Sequence, residues 1–280
     1  MQIDMKMDAK GFGHFSPTAL VRSLITVTRW CNASWAGKRL AFLLRGFAVR
    51  LLGGKPVDIE SMGARMRLSP YNNVCEKRIL FTPQYFDPVE RALLASRITP
   101  DFVFMDIGAN IGGYSLFVAA QAGPRARIVS IEPQPEVFER LICNISLNEF
   151  SNVKALNCAV ADFEGEITLF LAESNKGEAS IRIINTDAGV QQLRVPSKTL
   201  LNIIQQENFE RIDAMKLDVE GAEDLILDPF FRDAPAHLFP RLLLMEYSHG
   251  RGAADLGRIL GECGYREVMR TRTNVAYERA

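Results

Sequence analysis

Residues 102–115 read Phe102-Val103-Phe104-Met105-Asp106-Ile107-Gly108-Ala109-Asn110-Ile111-Gly112-Gly113-Tyr114-Ser115. An apolar run ends in an acid, glycines follow, and Leu116, Phe117, Ala119 and Ala120 open a helical pattern. Strand, glycine turn and helix in that order build a nucleotide pocket in α/β proteins. The segment departs from the dinucleotide fingerprint at Asn110, which stands where a glycine would let the backbone approach a pyrophosphate. Asp106 at the strand's end would repel a pyrophosphate. The pocket therefore suits a ligand with adenine and ribose, no phosphate and a positive charge. S-adenosylmethionine meets that description, and the helix N-terminus after Gly112 offers N–H groups to its carboxylate.

Glu132 ends the next apolar run and Pro133 follows it. An acid about 20 residues past a glycine loop is placed to grip ribose hydroxyls. Ala161, ending a third run, falls at the same edge and joins Asp106, Gly108, Ala109, Asn110, Gly112, Glu132 and Pro133 as a cofactor-binding candidate. A second charged segment runs Met215-Lys216-Leu217-Asp218-Val219-Glu220-Gly221-Ala222-Glu223. Charges at the carboxyl end of an otherwise buried strand are costly unless paired or used. Ligands of open α/β sheets bind at that edge. Lys216 and Asp218 share a strand face by period two, with Glu220 extending the row. Leu244-Met245-Glu246-Tyr247-Ser248-His249 brings Glu246 and His249 to the same edge. A histidine there suits general-base work near neutral pH. The catalytic candidates are Asp218, Glu246, His249, Lys216 and Glu220, with Asp218 also placed to touch the cofactor.

Alternating patterns must position these residues. Strands are expected at 102–106, 127–132, 153–161, 214–219 and 242–247, with helices at 112–121, 135–147, 198–206, 222–228 and 253–263. An antiparallel excursion is expected at 165–171 and 179–184, and a terminal strand pair at 265–270 and 274–278. This order implies an α/β fold, a doubly wound, mostly parallel seven-stranded sheet covered on both faces. Upstream, residues 17–31 and 38–52 read as amphipathic helices, with Leu20, Leu24, Val27 and Cys31 on one stripe and Leu40, Leu43, Leu44, Phe47 and Leu51 on the other. A strand pair follows at 57–68, and a helix at 86–94 with Asp87 as its cap and Pro88 at its first position. The expected organisation is an N-terminal helical extension over residues 1–80 and a catalytic domain over 81–280.

Charge is unevenly spread. Residues 1–57 hold nine of the 33 Lys and Arg and two of the 33 Asp and Glu, leaving 24 basic and 31 acidic residues for the rest. A net-acidic catalytic region argues against nucleic acid as its partner. Five scattered cysteines without a C-x-x-C spacing indicate neither a disulfide framework nor a zinc site. The N-terminus is a poor signal peptide and no run of about 18 apolar residues occurs. A reducing, cytoplasmic setting follows. The basic helices of residues 17–52 leave two readings open. One is a peripheral contact with an anionic membrane; the other, favoured because both stripes can pack on the domain, is a lid or homodimer contact.

Together the segments Phe104–Ser115, Ile131–Pro133, the helix with Asn144 and Asn148, and Lys216–Glu223 resemble the FkbM-type methyltransferases. The resemblance implies S-adenosylmethionine-dependent O-methylation of a hydroxyl on a sugar, glycolipid or polyketide-like acceptor. It also implies that Asp106, Gly108, Asn110, Gly112 and Glu132 bind the cofactor while Asp218, Glu220 and Glu246 face the methyl-transfer cleft. In that mechanism His249 or Glu246 takes the acceptor's proton and Lys216 orients neighbouring carboxylates. Three rival readings stand beside it: an NAD(P)-binding oxidoreductase, a membrane-surface S-adenosylmethionine-binding module without turnover, and an Mg²⁺-assisted transferase using Asp218, Glu220 and Glu246. No dedicated metal site is assigned.

Overall fold

A computed structural model describes residues 10–171, 179–180, 191–219, 221–246 and 251–279. The chain begins with α1 (Ala19–Trp30) and α2 (Trp35–Leu52), followed by β1 (Val57–Ser61), β2 (Ala64–Leu68), α3 (Val74–Phe81) and α4 (Pro88–Ala95). Then come β3 (Val103–Ile107), α5 (Gly113–Ala122), β4 (Arg127–Ile131), α6 (Pro135–Ser146), β5 (Val153–Leu156), β6 (Ala159–Ala161), β7 (Gly165–Leu171) and β8 (Ala179–Ser180). The last third holds β9 (Gln191–Thr199), α7 (Leu200–Gln206), β10 (Ala214–Leu217), α8 (Glu223–Asp233), β11 (Leu242–Glu246), α9 (Arg251–Glu262), β12 (Tyr265–Arg270) and β13 (Asn274–Arg279).

Seven strands form one sheet in the order β12-β13-β11-β10-β3-β4-β5. Strands β11, β10, β3, β4 and β5 run parallel, and β13 is antiparallel to both β11 and β12. The chain winds outward from β3 to β5, then returns to β10 on the other side. That reversal opens a crevice at the carboxyl ends of β3 and β10, where ligands bind in open α/β sheets. Period-two alternation divides the sheet residues between two cores. Phe104, Ile128, Leu242 and Leu244 face one side, with α5 and the N-terminal elements. Met105, Val129, Leu243 and Met245 face the other, with α7, α8 and α9. Val21, Ile25, Leu52, Met66 and Leu80 belong to the first core, so α1 to α3 are continuous with the packing of the sheet.

The sheet follows the expected alternation, and the differences are local. The run 153–161 is two strands in two sheets: β5 edges the main sheet while β6 pairs with β9. The break falls at Asn157, whose side-chain amide donates to the carbonyls of Glu132 and Pro133 (2.8 and 3.2 Å). Strand β9 occupies residues expected to be loop and the start of a helix. It pairs antiparallel with β7 along seven residues, and Thr199 then caps α7 by accepting the Asn202 amide. Helix α8 continues to Asp233 through Pro229, rather than ending before it. Helix α3 is an additional element. The expected excursion beyond Ser180 lies outside the described residues.

Candidate active site

The loop after β3 is shaped by close approach. Gly108 has φ +76°, and a Cβ there would lie 2.0 Å from the Asp218 carbonyl oxygen. Only glycine accepts both conditions, so the loops leaving β3 and β10 meet backbone to backbone. The amides of Gly108 and Ala109 both donate to the Ile131 carbonyl (2.9 Å each). Asn110 is left-handed (φ +50°), a conformation asparagine tolerates better than most residues. Its amide donates to Glu132 Oε2 (2.9 Å), and its side-chain oxygen accepts from Asn73 Nδ2 (2.8 Å). Gly112 caps α5 with φ +92°, and a Cβ there would meet Leu141 at 2.8 Å; it is not part of the cavity lining, whereas Gly113 is.

The resulting cleft encloses about 1180 Å³, open solvent at its mouth included. Its floor carries Asp106, Lys216 and Asp218. Register places Asp106 beside Lys216 on adjacent parallel strands. Asp106 is buried, and its Oδ2 accepts from both the amide and the hydroxyl of Ser115 (3.0 and 2.6 Å). Ser130 continues this chain by donating to Ser115 Oγ (2.7 Å). Asp106 Oδ1 is buried with no hydrogen-bond partner, an arrangement that favours a donor or cation from a ligand. Burial pushes the Asp106 carboxyl up, against the opposing pull of Lys216. Lys216 Nζ pairs with Asp218 Oδ2 at 2.8 Å and lies 4.8 Å from the Tyr114 ring centroid. Burial opposes its charge, yet Asp218 and Asp106 hold its ammonium above the ordinary lysine value.

Glu132 lies on the β4 side of the cleft, buried. Oε1 accepts the Gln134 amide and Oε2 the Asn110 amide, each at 2.9 Å. One contact per oxygen leaves acceptor capacity for ligand hydroxyls. Burial outweighs both amides and pushes its carboxyl up to about 7. Asp87 closes the opposite side. Sequence reading makes it a helix cap, but it makes no side-chain cap bond; its backbone is left-handed (φ +41°), and Oδ2 accepts from the Tyr114 hydroxyl (3.1 Å). Burial raises the Asp87 carboxyl while Lys216 opposes the rise. Asn73, Cys75 and Arg78 from α3 complete that wall. The spacing Asn73-x-x-Glu76 before Ile79-Leu80-Phe81 is a capping-box pattern that could have revealed α3.

Asp106, Gly108, Ala109, Asn110, Glu132, Pro133, Lys216 and Asp218 thus converge on one cavity. Ala161 is not part of the wall, to which Cys158, Ala159 and Val160 contribute instead, because the run breaks after β5 and β6 turns away to pair with β9. Glu246 ends β11 opposite Asn274 and is not part of the lining. Glu220 and His249 lie outside the described residues. Among the described residues, no three His, Cys, Asp or Glu side chains gather at a spacing that would hold a metal ion.

The donor set fits S-adenosylmethionine. A buried acid with spare lone pairs suits ribose, an orphaned buried carboxylate oxygen suits a cationic or donor group, and no phosphate-binding glycine stands at Asn110. A family model for the methyltransferase FkbM domain matches residues 106–267. Methyltransferase sdnD of Sordaria araneosa is 32% identical over 147 residues, covering 42% of this chain and 56% of that protein. The AMB antimetabolite synthetase AmbE of Pseudomonas aeruginosa is 31% identical over 196 residues, 58% of this chain and 9% of that protein. The chain therefore spans about half the length of the former relative and a small part of the latter. The solved structure of M. jannaschii TYW2 in complex with AdoMet aligns with a TM-score of 0.43 at 13% identity, covering 81% of this chain and 88% of that one. With more than half its length matched by the domain model, the chain belongs to the FkbM family of S-adenosylmethionine-dependent methyltransferases.

Proposed function

We propose that the chain methylates a hydroxyl oxygen on a sugar, glycolipid or polyketide-like small molecule. One observation carries the reading: the Asp218 carboxylate is half exposed at the cleft and held by Lys216 at 2.8 Å, between the loop glycines and the Asp87 wall. When bound, S-adenosylmethionine supplies an electrophilic methyl group on a sulfonium. Glu132 would accept the ribose hydroxyls, and the backbone of Gly108 to Asn110 would lie along the ligand. Asp106 and Asp87 would face the ammonium group, and Arg78 the carboxylate. Asp218 would accept the acceptor's hydroxyl proton as the new O–C bond forms and the S–C bond breaks. Lys216 keeps its proton and fixes Asp218 in place. A weak base suffices, because the hydroxyl grows acidic as its oxygen bonds to carbon.

Asp218 takes the proton-accepting place that sequence reading gave to His249 or Glu246, and Asp87 joins the cofactor's ammonium side, a role that reading did not foresee. The test is transfer of labelled methyl from cofactor to extracts of the source organism, with mass analysis of the product. Asp218→Asn is expected to lower turnover by about 10²–10⁴-fold while S-adenosylhomocysteine still binds in calorimetry. Unchanged turnover, or a product methylated on nitrogen or carbon, would refute the reading.

A further inference from the structure

Helix α2 turns its large side chains to water. Leu40, Leu43, Phe47 and Leu51 follow one helical stripe and are 43–67% exposed, while Ala41, Ala48 and Leu52 face the core. The stripe for which sequence reading favoured packing on the domain is thus mostly on the outside, with Leu44 half-buried at its edge. Helix α1 does likewise with Leu20 and Val27, and Trp30 and Trp35 at the turn between the helices are 85% and 75% exposed. Leaving such side chains partly in water forgoes hydrophobic burial, and a patch of this kind marks a contact surface.

Charge identifies what the surface meets. Residues 9–57 carry eight Lys and Arg and no Asp or Glu. At 100° per residue, Arg39 and Arg50 border the α2 stripe. Arg39 lies over the Trp35 ring (5.3 Å) and Arg45 over the Phe42 ring (4.6 Å). Aromatic and leucine side chains flanked by a single sign of charge are the signature of a helix lying in an anionic lipid interface. A symmetric contact of this face with a second copy would set like charges together. No helix among the described residues is long and apolar enough to cross a membrane.

We propose that the α1–α2 hairpin binds an anionic lipid surface, its apolar stripe and two tryptophans entering the interface and Arg39 and Arg50 meeting headgroup phosphates. The hairpin is fastened to the cleft wall. Arg29 donates to the Leu80 carbonyl (3.0 Å), Gln84 to the Thr28 and Cys31 carbonyls (2.8 and 3.1 Å), and Tyr85 to Cys31 (2.9 Å). Membrane contact would therefore set the Arg78–Asp87 side of the cleft close to the lipid, where a lipid-linked hydroxyl is presented.

The chain has two tryptophans, both on this hairpin, so its intrinsic fluorescence reports the contact without mutation. Adding phosphatidylcholine vesicles containing phosphatidylglycerol to the full chain is expected to blue-shift the emission and float the protein; phosphatidylcholine alone does neither. Leu43→Ser with Phe47→Ser abolishes flotation. Arg39→Gln with Arg50→Gln weakens it about fivefold per charge removed, roughly 25-fold together. Both variants retain parental S-adenosylhomocysteine binding. Absence of both the emission shift and flotation, equal binding to neutral vesicles, or variants that float like the parent overturn the proposal. So does a dimer in light scattering that these substitutions dissociate, with no flotation. Loss of methyl transfer with flotation intact would count against the proposed function and leave the membrane contact standing.

Discussion

Glu132 is the residue whose protonation most directly links the cleft to pH. Its buried carboxyl sits near 7, above its ordinary value, so burial favours the protonated form. The stability this contributes is fully present below the unfolded carboxyl's range and lost as pH rises through about 7. Ligand binding runs the other way, because ribose hydroxyls donate and are best received by the ionised form. S-adenosylhomocysteine is expected to bind about tenfold more weakly near pH 6 than near pH 8 by calorimetry, with proton release in between. Glu132→Gln should flatten that dependence and weaken binding throughout. A parent whose affinity ignores pH across this window would show that Glu132 does not hold the ribose. Asp106, by contrast, has half its acceptor capacity committed to Ser115, and only Oδ1 faces outward demand.

Among the elements, α6 binds the N-terminal half to the cofactor loop. Asn144 accepts the Arg67 amide (2.7 Å) and donates to the Ile111 carbonyl (3.0 Å). Asn148, a turn later, accepts the Arg65 amide and donates to its carbonyl (both 2.8 Å). Asn144→Leu would strand a buried amide and a carbonyl, at a cost of about 1–3 kcal/mol for each; urea unfolding measures it, and a change within about 0.5 kcal/mol would contradict the role. The long periodic elements were legible because their apolar residues repeat strongly. The glycine loop was legible because Gly108 and its neighbours are constrained by geometry as well as chemistry. Strand β9 was hidden by Gln191, Gln192, Arg194 and Lys198, with Leu193 and Val195 as its main apolar signal. Periodicity grouped Leu40, Leu43, Phe47 and Leu51 on one face of α2, yet no pattern within a helix says whether that face turns inward. Asp87 was legible as a helix start, but its left-handed backbone and the hydrogen bond its carboxylate accepts from Tyr114, in another element, were not.

At the scale of the whole molecule, a buried ion pair holds the N-terminal segment. Asp58 Oδ1 accepts from Arg67 Nε (2.8 Å) and Oδ2 from the amides of Gly13 and Phe15 (2.8 and 3.1 Å). Burial pushes the Asp58 carboxyl up, but Arg67 and these amides outweigh it and hold it below its ordinary value. The stabilisation is present above the usual carboxylate range and fades as pH falls through the folded value. Asp58→Asn would leave the guanidinium buried beside a neutral partner and is expected to cost about 3–5 kcal/mol, read by denaturant titration. A parent-like midpoint would mean the pair is dispensable. Asn73 caps α3 by accepting the Glu76 amide (3.1 Å), and the same side chain donates to Asn110 in the cofactor loop. Occupancy of the cleft and order in α3 are thereby thermodynamically linked: a ligand that steadies Asn110 also slows amide exchange along Val74–Phe81, so the enzyme's first helix-rich third would register cofactor loading without touching the sulfonium.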